Sequence, residues 1–278
     1  MEQEKRFYIP SNNANELTSI ANAKMIEESE ELKKAIDDIK NSIIAELNDD
    51  VKSIVLRGSL AYGGFIKKIS DLDLVVFLNK HTADGESILE KIAGVASSKY
   101  SHLFQMVDIS GVDFEDVCQN EKNTRLYLNL KLTGKTLYGA DFISKLPPCI
   151  CNPELLKKLY RQTVGDSAET LKMIDTAENI FYMGKQKGCD FLCVWFMRNI
   201  IRGFAVPIFL KKNIFSMHLT TCCYELSLLF PQYKELIEKI WHSERYPIHN
   251  WNELSLFCRK ALELFEEVCN ASWNGELQ

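Results

Sequence analysis

The chain has 278 residues, of which 46% are hydrophobic and 26% are charged, and this composition argues against collagen-like, coiled-coil and intrinsically disordered proteins. Its 33 lysine and arginine residues and 38 aspartate and glutamate residues give a net charge of −5 at pH 7. That balance disfavours a dedicated nucleic-acid-binding protein, because such proteins carry a strongly basic surface. At about 150 residues per domain, the length predicts two domains.

The nine cysteines indicate a reduced compartment, because their number is odd and their spacing matches neither a secreted disulfide framework nor paired zinc knuckles. The amino-terminal sequence MEQEKRFYIPSNN has charges of both signs and lacks the apolar core of a secretory signal. The most apolar stretch, 191–210, is interrupted by Arg198, Arg202 and Pro207, which would be costly in lipid. We therefore expect a cytoplasmic protein without a membrane-spanning segment.

The amino-terminal part begins with a helix, a strand and a sharp turn. Apolar residues recur at steps of three and four over 32–47, which predicts an amphipathic helix that ends at Asn48. Residues 51–57 are rich in β-branched side chains and predict a strand. The pair Gly58-Ser59 then predicts a tight turn.

Two further strands and a helix follow. Residues 71–78 predict a second strand, one face of which carries Asp71, Asp73, Val75 and Phe77. Residues 86–100 predict a helix, and residues 102–110 predict a third strand with Asp108 late in it. This alternation of helices and strands is typical of an α/β or α+β domain.

The carboxy-terminal part has a different pattern. After the pair Pro147-Pro148, strand-like runs cease and a period of 3.6 residues dominates from 154 to 268. Two adjacent prolines continue neither a helix nor a strand, so the boundary between domains is expected there. We predict an α+β protein, in which a domain of residues 1–147 has a small mixed sheet with flanking helices and residues 148–278 form an all-helical bundle.

The segment 57–73 combines a glycine-serine turn with two carboxylates. Backbone N–H groups at such a turn can bind phosphate oxygens, and Arg57 can contact them as well. Asp71 and Asp73 share a strand face, where two close carboxylates repel each other unless a cation lies between them. Mg²⁺ suits this arrangement because it binds through one or two carboxylates together with substrate phosphates. The segment therefore predicts a nucleotide–magnesium site.

Two common phosphate-binding motifs do not fit this segment. Gly58 and Gly63 have the glycine spacing of a Walker A loop, but Gly64 stands where that loop needs its lysine. A GxGxxG pattern, which would indicate a Rossmann fold, does not occur in the sequence. The sequence therefore favours a different class of nucleotide-binding domain.

A glycine-serine pair followed at this distance by Asp-Leu-Asp on a hydrophobic strand resembles the nucleotidyltransferase superfamily, whose best-known fold is that of DNA polymerase β. The sequence GSLAYGGFIKKISDLDLVVF is similar in particular to the aminoglycoside nucleotidyltransferases, which add AMP from ATP to a drug hydroxyl. Residues 132–141, LTGKTLYGAD, resemble a segment that often follows the catalytic core in these proteins. The resemblance covers residues 51–141.

The resemblance implies a two-metal, in-line displacement in which Mg²⁺ ions neutralise charge on the triphosphate. It implies that Asp71 and Asp73 bind Mg²⁺ and that Gly58 and Ser59 hold the β- and γ-phosphates. It also implies a third carboxylate on a neighbouring strand, acting as a metal ligand or a general base, and our candidate is Asp108. Strand register is uncertain from sequence alone, so three alternatives to this residue stay open: Asp113, Glu115 and Asp116.

These expectations describe an ATP- and Mg²⁺-dependent adenylyltransferase that acts on a hydroxyl of a small molecule. An aminoglycoside-like antibiotic is favoured as the acceptor, because an acidic protein attracts a polycation and repels a nucleic acid. The first alternative is a toxin-antitoxin type nucleotidyltransferase that modifies a protein or an RNA. The second is an inactive nucleotide-binding or scaffolding protein, which would have little reason to keep two mutually repelling carboxylates.

Overall fold

The computed structural model describes residues 6–12, 14–21, 24–27, 29–80, 82–177, 179–182 and 185–273. The chain forms two compact units. One unit, Glu16–Cys149, contains the main sheet and is called the sheet unit below. The other, Met1–Asn15 with Ile150–Gln278, is called the helical unit.

The amino-terminal residues group with the helical unit, a placement that the sequence pattern did not indicate. Ile9 forms a β-bridge with Phe215, and the backbone N–H of Phe7 donates to Thr221 Oγ1 at 2.9 Å. These contacts join segments more than 200 residues apart, so local periodicity carries no sign of them. The division into domains at 147 and 148 stays a prediction.

The sheet unit is a four-stranded mixed sheet with flanking helices, and its strands run in the order β3-β2-β1-β4. Strands β2 and β3 are parallel, whereas β1 is antiparallel to both β2 and β4. This architecture confirms the predicted α+β fold. The elements are α1 Lys24–Glu27, α2 Glu30–Leu47, β1 Val51–Arg57, α3 Ser59–Tyr62, β2 Leu72–Leu78, α4 Ala83–Lys99, β3 Val107–Val112, α5 Phe114–Gln119, α6 Thr124–Thr133, β4 Lys135–Gly139 and α7 Phe142–Lys145.

Helix α2 forms as its periodicity predicts. The Ser29 side chain caps its first turn by accepting a hydrogen bond from the backbone N–H of Leu32. Its apolar stripe is buried, and the helix ends at Leu47, followed by the C-cap residue Asn48 with a positive φ of 45°. The stripe consists of Leu32, Ala35, Ile36, Ile39, Ile43 and Leu47.

The core of the sheet unit lies against one face of β1 and β2. Val55 of β1 pairs with Val75 of β2, and both are fully buried in a cluster with Phe77. The cluster also includes Val117 from α5 and Leu130 from α6. Residues 73, 75 and 77 lie on the same face of β2 by alternation, so the face that buries the valine and phenylalanine also carries Asp73.

The third strand was predicted five residues too early. It begins at Val107 instead of residue 102 and continues to Val112. The apolar residues Leu103 and Phe104 suggested a strand, but their backbone N–H groups bond to the Tyr100 carbonyl and close a turn. Asp108 is therefore near the start of β3.

The helical unit contains six longer helices and one short hairpin within the described residues. The hairpin, which was not predicted, pairs β5 Ile180–Tyr182 with β6 Lys185–Lys187. Three-residue strands are too short to produce a readable alternation. The helices are α8 Pro153–Asp175, α9 Cys189–Gly203, α10 Ala205–Lys212, α11 Leu219–Leu229, α12 Lys234–Arg245 and α13 Trp251–Trp273.

The most apolar helical stretch packs inside the helical unit. Residues 189–212 are long and apolar enough to cross a membrane by length and composition alone, but 72% of the apolar window is buried within the protein. Its polar Asn199 is also buried and donates hydrogen bonds to the Thr163 carbonyl and to Ser167 Oγ. These features are those of a core helix with a satisfied polar group.

Candidate active site

Three charged side chains lie in one row across the main sheet. Arg57, the last residue of β1, is opposite Asp73 in β2, and Asp73 is in turn opposite Asp108 in β3. Residues directly opposite each other on adjacent strands point to the same face. The row therefore lies at the end of the sheet where strand β1 finishes and strands β2 and β3 begin.

The guanidinium of Arg57 links the two carboxylates. Its Nη2 atom lies 3.4 Å from Asp73 Oδ1 and 3.3 Å from Asp108 Oδ2. All three side chains are largely buried, with exposed fractions of 18% for Arg57, 21% for Asp73 and 14% for Asp108. Burial at this level means that the charges are screened less than a surface pair would be.

The glycine-serine turn lies directly against this row. Gly58 has φ +77° and ψ −160°, a conformation that is essentially restricted to glycine. A Cβ atom at this position would be 2.2 Å from Asp73 Oδ2, so only a glycine lets the backbone approach the carboxylate. Ser59 then begins α3, and the turn is closed by a hydrogen bond from the Ala61 N–H to the Gly58 carbonyl.

Asp71 lies immediately before β2, not inside it as predicted. The next residue, Leu72, donates its N–H to the Met106 carbonyl, so the chain already follows β3 at this point. At about 3.3 Å per residue, the Cα atoms of Asp71 and Asp73 are roughly 7 Å apart. Asp71 is half-buried and precedes the row of charged side chains by two residues.

The structure distinguishes Asp108 from its three competitors. Asp113 follows the far end of β3, five residues beyond Asp108 and thus roughly 16 Å away along the strand. Glu115 and Asp116 lie in α5, still further along the chain, and Asp116 accepts hydrogen bonds from Asn123. Of these four carboxylates, only Asp108 is opposite Asp73.

The two lysines of the loop after the turn do not join this row. Lys67 pairs with Glu31 at 3.0 Å, and both side chains are half exposed. Lys68 has a left-handed backbone with φ 66°, and its N–H donates to the Leu103 carbonyl. Of the basic residues in this segment, Arg57 is the one that contacts Asp73 and Asp108.

The donor set fits Mg²⁺ with phosphate oxygens supplying further ligands. Among the described residues, no group of three or more histidine, cysteine, aspartate or glutamate side chains is gathered closely enough to hold a metal ion alone. Mg²⁺ commonly binds through one or two carboxylates and completes its shell with water and substrate phosphates. The Gly58 backbone packs directly against Asp73, so the glycine-serine turn and this carboxylate are held next to each other.

Comparison with known protein families agrees with this geometry. Residues 40–128 match the family model described as a nucleotidyltransferase domain. This segment contains β1, the turn, Asp71, β2 and β3, and therefore all the candidate residues Arg57, Gly58, Ser59, Asp71, Asp73 and Asp108. The chain thus carries a nucleotidyltransferase domain, and the match confirms the predicted superfamily and enzyme class.

One solved structure shows a similar fold that extends beyond this domain. The chain is similar to the spectinomycin adenyltransferase AAD(9) from Enterococcus faecialis, crystallised with ATP and spectinomycin. The match covers 84% of this chain and 99% of that chain, with 14% sequence identity and a TM-score of 0.57. At this identity the similarity shows a common fold, which includes the carboxy-terminal helices.

A second structure, described as a toxin-antitoxin with AMP-PNP, covers 50% of this chain and 96% of that chain. Its sequence identity is 18% and its TM-score is 0.29, which is too low to support a structural argument. No curated protein sequence matches the chain.

Proposed function

We propose that this chain, which carries a nucleotidyltransferase domain, is a Mg²⁺-dependent enzyme that transfers AMP from ATP to a hydroxyl of a small molecule. The observation that carries the proposal is the placement of Asp73 opposite Asp108 on adjacent strands, with the Gly58 backbone against Asp73. Two carboxylates beside a glycine turn can hold a metal–triphosphate complex. The match of this segment to a nucleotidyltransferase domain supports that chemistry.

The proposed reaction is an in-line displacement at the α-phosphorus. The acceptor oxygen forms a bond to phosphorus, the bond to pyrophosphate breaks, and the hydroxyl proton passes to a carboxylate or to water. Asp71 and Asp73 would bind the metal, and Asp108 would serve as a third ligand or as the general base. Bound Mg²⁺ would neutralise charge that develops on the triphosphate.

The turn and the arginine would hold the nucleotide. Gly58 and Ser59 would hold the β- and γ-phosphates through backbone N–H groups of the turn that leads into α3. Arg57 has a guanidinium that can also pair with phosphate oxygens in a bidentate manner. These residues would orient the α-phosphorus toward the acceptor.

We propose a small hydroxylated acceptor, with an aminoglycoside-like antibiotic favoured. The fold similarity to a spectinomycin adenyltransferase crystallised with ATP and spectinomycin supports this choice. The net charge of −5 also favours a cationic or neutral acceptor over a polyanion. All nine cysteines are free thiols, which supports a reduced, cytoplasmic location.

The proposal is tested by isothermal titration with ATP in the presence and absence of Mg²⁺. We expect metal-dependent binding that is lost in Asp73→Asn, because that substitution removes one negative charge from the row. Asp84→Asn is the matched control, since Asp84 is exposed in the first turn of α4. Metal-independent binding that survives in Asp73→Asn would instead indicate an inactive nucleotide-binding protein.

The acceptor class is tested by incubation with ATP labelled on its α-phosphate. The panel contains aminoglycosides, spectinomycin, lincosamides, tRNA and a protein mixture. We expect label on a small hydroxylated molecule and its loss in Asp73→Asn. Label on RNA or protein alone would overturn the small-acceptor proposal and favour the toxin-antitoxin type of enzyme.

A further inference from the structure

Arg57 occupies the space between two carboxylates that the proposed function assigns to metal binding. One nitrogen of its guanidinium, Nη2, lies within 3.4 Å of an oxygen of Asp73 and within 3.3 Å of an oxygen of Asp108. Its backbone is fixed by the pairing of β1 with β2, which sets Arg57 opposite Asp73. The contact is therefore built into the register of the sheet.

The two carboxylates need a cation. Asp73 and Asp108 are directly opposite each other on neighbouring parallel strands, which lie about 4.8 Å apart. Like charges this close destabilise a fold unless an opposite charge lies nearby. A guanidinium stays charged at any pH at which the protein is folded, so it can always fill this role.

In this position, Arg57 competes with a metal ion for the same two carboxylates. With Arg57 paired, the row carries one net negative charge, since one guanidinium faces two carboxylates. A divalent ion that enters beside the arginine meets a positive charge at close range, and the carboxylate oxygens that face the arginine are not free to face the metal. Metal binding and the Arg57 contacts therefore oppose each other.

We propose that Arg57 is a positioning residue that acts as the counter-cation of Asp73 and Asp108 before metal binds and that competes with the divalent ion for them. The competition part rests on the proposed function, because it needs a metal at these carboxylates. The counter-cation part depends only on the contacts within the chain. In this arrangement the carboxylates keep their spacing without metal, and the guanidinium turns toward phosphate oxygens when metal and nucleotide arrive together.

The competition is tested with Mn²⁺ as a probe for Mg²⁺, by titration in the absence of nucleotide. We expect Arg57→Gln to lower the dissociation constant for Mn²⁺ about tenfold, which corresponds to removal of one nearby positive charge. Arg57→Lys keeps the positive charge but loses the planar guanidinium. Its dissociation constant for Mn²⁺ should lie between those of the wild type and Arg57→Gln. If Arg57→Gln binds Mn²⁺ no more tightly than the wild type and only its ATP binding is weaker, Arg57 acts on the phosphates and does not compete with the metal. That result would overturn the competition.

A matched control separates this effect from a general change in net charge. Lys99→Gln also removes one positive charge from the sheet unit, and Lys99 pairs with Asp38 at 2.9 Å with 58% of its side chain exposed. We expect its Mn²⁺ affinity to equal that of the wild type. A gain as large as that of Arg57→Gln would show that the effect is not local and would overturn the proposal.

A second measurement tests the counter-cation role without any metal. Unfolding in urea with EDTA present is compared for the wild type, Arg57→Gln, Asp73→Asn and the double variant. We expect Arg57→Gln to lower the unfolding midpoint in the wild-type background but to have a smaller effect in Asp73→Asn, where one repelling charge is gone. Equal effects in both backgrounds would overturn the counter-cation role. If no variant binds Mn²⁺ even with ATP, the proposed function fails, while this comparison still decides the role of Arg57.

Discussion

A glycine at position 58 is required for two independent reasons. Its backbone conformation, φ +77° and ψ −160°, is one that side chains disfavour, and a Cβ atom would come within 2.2 Å of Asp73 Oδ2. The first reason concerns the turn itself, whereas the second concerns the distance between the turn and the carboxylate. Both are features of the site and not of the hydrophobic core.

We predict that Gly58→Ala lowers the free energy of unfolding by about 1–3 kcal/mol, because the strained backbone region costs that much for a residue with a side chain. It should also abolish Mg²⁺-dependent ATP binding, since the methyl group displaces the Asp73 carboxylate. Urea unfolding and calorimetric titration measure the two effects. A variant that binds ATP and Mg²⁺ as tightly as the wild type would contradict this account of the turn.

The residue types of the site could be predicted from sequence, but their contacts could not. Asp73, Gly58 and Ser59 were identified from the motif, and Asp108 was chosen among four carboxylates for its position on a presumed strand. That Arg57 lies between Asp73 and Asp108 depends on the register of three strands, two of which are separated by helix α4. Register arises from long-range pairing, which no local pattern of residues reports.

At the scale of elements, the segment 132–141 shows how a family motif can serve the fold. Gly139 ends β4 with φ +76°, and a Cβ atom there would be 2.1 Å from the Lys52 carbonyl of the neighbouring strand. Asp141 caps α7 by accepting the Ser144 N–H at 3.2 Å. Burial acts to raise the pKa of Asp141, but hydrogen bonds from Ser144 and Thr136 hold the pKa below its ordinary value. The motif thus fixes the edge strand and the start of a helix.

We predict opposite effects for two glycine-to-alanine substitutions in the sheet unit. Gly139→Ala should destabilise by about 1–3 kcal/mol, because its positive φ and the backbone contact both disfavour a side chain. Gly94→Ala should stabilise by about 0.5–1 kcal/mol, because a glycine inside a helix costs entropy. Gly94 lies inside α4, with no atom within 4 Å of a Cβ added there.

Urea unfolding of both variants tests this prediction. Both variants are compared with the wild type, and because the predicted changes have opposite signs, a shift of the same sign in both would contradict the prediction. If Gly139→Ala were as stable as the wild type, the close approach of β4 to β1 would not be required for the fold.

Elements with long, uniform patterns were predicted well, and short or locally closed ones were not. Strand β1 has the predicted bounds 51–57, and α2 has the predicted end at residue 47. The start of β3 was wrong because a turn at Tyr100 buries apolar residues without forming a strand. Local periodicity reports burial, and burial alone does not separate a strand from a buried turn.

At the scale of the whole molecule, the burial of the cysteines reports how tightly both units are packed. All nine are free, and eight of them are buried, whereas Cys118 is half-buried in α5. Burial raises the pKa of the Cys149 and Cys193 thiols to about 11 and that of Cys222 to about 12. Burial also raises the pKa of Cys118, and the nearby Glu115 carboxylate adds to this shift.

We predict that the native protein reacts slowly with a thiol reagent such as DTNB at pH 8, with Cys118 reacting first. Only the thiolate attacks, and a thiol of pKa about 11 is ionised to roughly one part in a thousand at this pH. Cys118→Ser should remove the first phase, whereas Cys149→Ser should leave it unchanged. Raising the pH to about 9 should speed the first phase. Because the pKa of Cys118 is raised, most of this thiol is still protonated at pH 8, and its thiolate fraction increases with pH.

In a denaturant, all nine thiols should react at a single rate, because unfolding removes the burial that protects them. The difference between native and denatured rates therefore measures the packing of both units. Several fast-reacting thiols in the native protein would contradict this prediction, because they would show that the core around those cysteines becomes exposed to solvent readily. If those thiols were Cys189, Cys193 and Cys258, the opening would lie in the helical unit, whereas a fast Cys149 would place it in the sheet unit.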